Sequence, residues 1–183
     1  MDYLKLFQNH TEYETYINGS GATLPNVSFC AQQNEVHYSA QINKYIIYKA
    51  AAKLQESTYS SGEDNVGIYV TALDATIENH TFENGVGTVK FETNLTTIGK
   101  WAFLFTEITE VIIPKTVTNI GIAAFGGCTG LTSVTIEATT PPTLGSSAFD
   151  SVNCTFYVPA ESVNAYKEAN DWGSYASRIQ AIP

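Results

Sequence analysis

The sequence predicts an α+β chain, with a small amino-terminal α/β unit over residues 1–75 and a short β-solenoid over residues 76–183 that a carboxyl-terminal capping helix closes. Three observations predict it. An Ile-Gly or Leu-Gly step with Ala-Phe three residues on occurs at Ile98-Gly99 and Ala102-Phe103, at Ile120-Gly121 and Ala124-Phe125, and at Leu144-Gly145 and Ala148-Phe149. Alternating apolar pairs, Val89/Phe91, Val111/Ile113, Val134/Ile136 and Phe156/Val158, run through the same half at the same period of about 22 residues. Eight of the eleven tyrosines lie before residue 85, so the first half is a different kind of unit.

In chain order, "YLKLF" alternates like a strand, and Thr11-Glu12-Tyr13-Glu14 matches a capping box that opens a short helix ending before Gly19. "NVSFC" and "NEVHY" flank the polar turn "AQQ" and predict a hairpin. Further strands are expected at Tyr45 to Tyr48, Ile68 to Val70 and Thr76 to Phe82, and Asn84-Gly85 turns the chain into the first repeat strand. The loop "ESTYSSGEDNVG" is the candidate for mobility.

In the second half, alternation at period two makes each apolar pair the inward face of a short strand. The Gly permits a sharp turn where a Cβ would obstruct, and Ala-Phe reads as a one-turn helical corner that drops a ring into the interior. No single coil has a second layer to cover its apolar face, so only neighbouring coils remove that face from water. Phe103, Phe125 and Phe149 should therefore form one internal stack. Pro159 and Glu161 suit a helix start, and Val163, Tyr166 and Ala169 or Asn170 share one side of that helix. A turn near Gly173 and a final strand around Ile179 follow, with Trp172 as a lid over the last coil rather than a ligand platform.

The run "LTTIGKWAFLFTEITEVIIPKTVTNIGIAAFGGCTGLTSVTIE" resembles the BspA-like class of bacterial leucine-rich repeats, whose pattern is Ile-Gly, Ala-Phe, Gly-Cys, Leu and a strand ending near Ile-Pro. Gly127-Cys128 fits the Gly-Cys step and Ile113-Pro114 the strand end, and the resemblance covers about residues 76 to 183. The third copy departs from the pattern, with "ATTPP" inserted before it and "DSVNCTFYVP" in place of a Gly-Cys-x-x-Leu segment. The resemblance implies a leucine-rich-repeat solenoid and a non-enzymatic adhesion or recognition module at the cell surface or outside the cell. "LPNVSFCAQQNEVHYSA" resembles leaders of such repeats in gut-type bacteria, some apparently phage-derived, a short match that assigns no function; a structural or assembly component encoded by a prophage or mobile element is the alternative, which would explain the lack of an export signal.

Composition narrows the partners. The net charge is −9 and the only Arg is Arg178, so phosphate backbones are repelled and nucleic acid is not an expected partner. No apolar run approaches the roughly 20 residues of a membrane span. The start "MDYLKLFQNH" has neither a basic leader nor a long apolar stretch, so no export signal is read there, which leaves a cytoplasmic or phage-associated location open. Cys30, Cys128 and Cys154 are odd in number and lack Cys-x-x-Cys spacing, so free and mostly buried thiols are expected. Six Asn-x-Ser/Thr sites arise readily in a chain rich in Asn and Thr and carry little weight.

Reactive groups do not converge in the sequence. His10, His37 and His80 are scattered and read as surface or edge-strand residues rather than metal ligands. Neither Glu107 with Glu110 nor Glu63 with Asp64 predicts a cleft, and Glu63-Asp64-Asn65 reads as a solvated turn rather than a calcium loop. Cys128 has no neighbouring His or Lys to activate it. No catalytic residue, cofactor site or metal site is expected. What remains is surface: an outward row of Lys90, Ile112, Thr135 and Tyr157, with Thr88, Glu110, Ser133 and Thr155 beside it. Ile112 and Tyr157 would anchor a protein or glycan partner; alternatively the row is merely solvated or covered by the amino-terminal unit.

Overall fold

The alternating segments become strands in which every second residue is buried. The computed structural model describes residues 44–58 and 67–183. The strand, helix and hairpin expected before residue 43, and most of the loop "ESTYSSGEDNVG", lie outside them. The first strands are β1 (Tyr45–Ala50), β2 (Gln55–Ser57), β3 (Gly67–Tyr69) and β4 (Ile77–Glu83). The repeat half supplies β5 (Val86–Phe91), β6 (Thr97–Ile98), β7 (Ile108–Ile113), β8 (Asn119–Ile120), β9 (Ser133–Ile136), β10 (Thr143–Leu144) and β11 (Thr155–Val158). The end of the chain forms α1 (Val163–Glu168), a 3-10 helix (Asn170–Arg178) and β12 (Ile179–Ala181).

Equivalent residues of successive coils lie side by side. Val111 pairs with Val134, Val134 with Phe156, and Phe156 with Ile179, in parallel ladders. On the other side of each coil, Ile98 pairs with Ile120 and Ile120 with Leu144. Between these two sheets the rings of Phe103, Phe125 and Phe149 stack face to face, with centroids 5.0 and 5.2 Å apart and planes within 4° and 2° of parallel. That spacing is the strand-to-strand distance of a sheet, so the backbone ladder sets the ring separation.

The larger sheet has the order β12-β11-β9-β7-β1-β5-β4. The first repeat strand, β5, therefore does not stack on the second, β7. β1 lies between them, antiparallel to both, with Ile47 opposite Thr88 on one side and Ile112 on the other. Asn84 and Gly85, with φ of 50° and 82°, close a tight hairpin that pairs β5 with β4, and the buried Ile46 and Tyr48 make β1 a fitting filler. As a result Ile46, Tyr48, Leu54 and Ile68 share one core with Val89, Phe125 and Phe156. No separate core underlies the expected division between residues 75 and 76 among the described residues.

The corners differ from the one-turn helix expected of Ala-Phe. Each contains two left-handed residues: Trp101 and Phe105, Ala123 and Gly127, Ser147 and Ser151, with φ between 48° and 67°. For the non-glycine residues this backbone costs about 1–2 kcal/mol each. Hydrogen bonds from one coil to the next over-determine it: Trp101 N–H donates to Ile122 O (3.0 Å), Phe103 to Ala124 O (2.7 Å) and Phe105 to Gly126 O (2.9 Å). The Gly of each step serves close approach. A Cβ on Gly121 would lie 2.7 Å from the carbonyl carbon of Gly99, and one on Gly145 would lie 2.4 Å from the amide nitrogen of Ile122.

The carboxyl-terminal cap follows the expectation for Trp172 and departs from it at Gly173, which lies inside the 3-10 helix rather than at a turn. Trp172 is fully buried, edge-on to Phe156 at 5.4 Å and to Tyr166 at 5.1 Å. Its indole N–H donates to Pro142 O (2.8 Å), and the Tyr166 hydroxyl donates to Ala138 O (2.8 Å), so both polar tips are satisfied.

Truncating the middle ring, Phe125→Ala, should cost about 3–5 kcal/mol in denaturant unfolding. Gly121→Ala, which drives a methyl into backbone, should be far more harmful than Gly173→Ala, whose added Cβ meets nothing within 4 Å and which should stay within about 0.5 kcal/mol of the parent.

Candidate functional site

Apart from His80 and the Tyr48 hydroxyl beside it, the described core-facing groups of the large sheet are apolar, so most of its polar side chains lie on the outer face. There Ile112 sits opposite Thr135, Thr135 opposite Tyr157, and Tyr157 opposite Gln180. On the other side Ile112 faces Ile47. These five residues span four strand spacings, about 19 Å. Ile47, Ile112, Thr135 and Tyr157 are half-buried and Gln180 is exposed. The row is thus apolar at one end, has Thr135 at its centre, and finishes in a phenol and an amide at the other end. Beside it run Glu110, Ser133 and Thr155, with the Lys49 ammonium 3.0 Å from the Glu110 carboxylate.

Lys90 is not part of this row. It pairs with Tyr45 across β5 and β1, two strands from Ile112, and its ammonium lies 2.7 Å from the Glu78 carboxylate. That hydrogen bond, against a smaller opposing effect of burial, raises the Lys90 pKa above its ordinary value. The inserted β1 puts Ile47 where repeat counting puts the β5 residue. The alternation of "YIIYKA" reveals a strand, but no local signal says that it enters the sheet between two repeats.

The corners expose a second surface that sequence patterning missed. Among the described residues, Phe105 and Ile122 are the exposed large apolar side chains, at 54% and 47%. The Phe105 ring lies over Gly127, where a Cβ would approach its Cδ1 to 2.1 Å, and the Lys100 ammonium covers the Trp101 ring at 3.7 Å. A cleft of about 520 Å³ near the start of β4 is lined by Glu56, Thr71, Asp74 and Ile77 among others. Its Asp74 carboxylate already accepts the amides of Thr96 and Thr97, both at 3.0 Å, and the Thr96 hydroxyl, which ties it to the first coil.

His80, expected at a surface or edge, lies on the edge strand β4 with its side chain 1% exposed. Its Nε2 is 2.8 Å from the Tyr48 hydroxyl and its Nδ1 is 2.9 Å from Glu56 Oε1. A carboxylate, an imidazole and a hydroxyl in line have the form of a nucleophile relay. Access rules that use out: Tyr48 is fully buried, its ring fills the space where Gly87 lacks a Cβ, and burial pushes its pKa up to about 12. Cys128 and Cys154 are buried free thiols; burial raises the first and pushes the second up to about 12. Among the described residues, no group of three or more His, Cys, Asp or Glu is placed to hold a metal ion.

What the arrangement offers is a flat, mixed surface on stacked coils. A family model described as BspA type Leucine rich repeat region matches residues 71–170 in six copies, more than half of the chain. The chain belongs to the BspA-type leucine-rich repeat family. The match starts at Thr71 and so takes in Leu73, whose bridge to Ile98 joins the first coil. Leucine-rich repeats are generally non-enzymatic binding modules, and the BspA type points to protein binding. No curated protein matches this BspA-type chain. Among the described residues, no helix is long and apolar enough to cross a membrane.

With both thiols buried and held protonated, brief alkylation of the native protein at about pH 8 should leave Cys128 and Cys154 unmodified, and denaturant should expose both, as read by peptide mass spectrometry.

Proposed function

We propose that this BspA-type protein is a recognition module of the bacterial surface, a short leucine-rich-repeat solenoid without catalytic activity that binds a protein or glycan through the outer face of its large sheet. The supporting observation is the register that sets Ile112, Thr135 and Tyr157 side by side on adjacent strands. Tyr157 brings a rigid amphipathic ring at low entropic cost, Thr135 and Gln180 bring hydrogen-bonding groups, and Ile47 and Ile112 bring an apolar end. A flat sheet face suits an extended or planar partner rather than a small molecule that needs enclosure. The net charge of −9 favours a neutral or basic partner and disfavours nucleic acid.

The test is an array of glycans and host surface proteins, followed by affinity measurements on variants. Tyr157→Ala should weaken the selected ligand by about 10-fold or more without changing the melting temperature. Lys90→Ala, which lies outside the row and loses only a surface ion pair, should bind like the parent. Equal effects of the two substitutions would remove the row as the site.

A further inference from the structure

Among the described residues, no coil precedes the amino-terminal end of the stack. The ribbon of β2 and β3 occupies that place: Gln55 pairs with Gly67 and Ser57 with Tyr69, Ile68 and Tyr69 are buried, and the Tyr69 N–H donates to Ala102 O of the first corner (2.9 Å). A directed chain of hydrogen bonds fastens β2 and the segment before it to the large sheet. The Leu54 N–H donates to the Tyr48 oxygen (3.0 Å), the Tyr48 O–H donates to His80 Nε2 (2.8 Å), and His80 Nδ1–H donates to Glu56 Oε1 (2.9 Å). The carboxylate only accepts, which puts a proton on Nδ1; in the neutral ring Nε2 then accepts from the Tyr48 O–H, while the Tyr48 oxygen accepts from the Leu54 N–H. The chain closes only when His80 is neutral with its proton on Nδ1.

We propose that His80 is a proton-operated latch, holding the β2–β3 ribbon on the end of the stack when neutral and releasing it in mild acid. A second proton would sit on Nε2 and point at the Tyr48 oxygen, leaving the Tyr48 O–H without an acceptor in a buried site. The Glu56 bond would strengthen, but the Glu56 side chain is 41% exposed, so solvent screens that gain while the imidazolium remains buried. The charged and titratable groups facing His80 are Glu56 from β2, Lys53 from the segment before β2, and Tyr48 from β1. From β5, Val89 and Gly87 pair with His80 and its neighbour Phe82 and carry no charge. Burial and Lys53 oppose the second proton while Glu56 favours it, and the balance lowers the His80 pKa.

The unfolded or lifted imidazole, near its ordinary value of about 6.5, takes the proton first as pH falls. The latch therefore contributes fully above that value and is lost as pH drops through the lower folded value. Its release bares the end of the stack around Ala102 and Phe103, an apolar surface covered at neutral pH.

Hydrogen exchange of the whole chain at about pH 7.5 and about pH 5, corrected for intrinsic rates, tests the latch. The Leu54 and Tyr69 amides should lose about 10-fold or more of their protection in acid, while the Phe125 and Gly145 amides keep theirs. His80→Gln should abolish the difference between the two conditions, and Glu56→Gln, which removes the charge that stabilises the imidazolium in the closed state, should enlarge the loss of protection in acid and begin it at a pH no lower than in the parent. Equal protection at both conditions, parallel loss through the whole stack, or an unchanged pH response in His80→Gln would overturn the proposal. Should His80→Gln fail to fold, the imidazole titration of the parent decides: a midpoint more than about one pH unit from the ribbon transition overturns it equally.

Discussion

The distance between hydrogen-bonded backbones, just under 5 Å, governs this molecule. Once the coils are joined by amide bonds such as Gly121 N–H to Ile98 O and Phe103 N–H to Ala124 O, both 2.7 Å, every side chain inherits the same repeat distance from its equivalent. Parallel phenylalanine rings at that distance fill the interior without gaps, whereas a methyl on the Gly column has no room. The same ladder offsets the cost of left-handed Trp101 and Ala123, because their amides are held by the next coil. An isolated coil would gain none of this, so stability and repetition are one property here.

Legibility followed the range of the interactions. The apolar series, the Ala-Phe positions and the Trp172 lid were readable because each side chain's fate is set by near-identical neighbours at a fixed interval. The corner conformation was not, since an Ala-Phe pair in a tight left-handed turn has the composition of a short helix. The placement of β1 was least legible. Nothing in "YIIYKA" encodes its partners, and its pairing with Thr88 and Ile112 depends on surfaces presented some forty and sixty-five residues later. Lys90 was misplaced beside Ile112 for that one reason. The burial of His80 was not legible because its partners Tyr48 and Glu56 are distant in sequence and of two different residue types.

These features divide the molecule into surfaces with different tasks. The outer face keeps its polar and aromatic groups in register because the inner face is packed too tightly to shift. The carboxyl-terminal end is sealed by aromatic contacts that carry no titratable link to neutral pH, with Tyr166 raised far above its ordinary value by burial. The amino-terminal end is sealed through an imidazole. One end of the stack is therefore insensitive to mild acid and the other is not.

The position of β1 also orders events in time. This strand is synthesised before β5 and β7, and until both have left the ribosome it has neither of the flanks that bury Ile46 and Tyr48. The later coils, whose contacts span about 22 residues, can close on one another sooner than that long-range insertion. The middle of the finished sheet is thus the part of the nascent chain that waits longest for its partners.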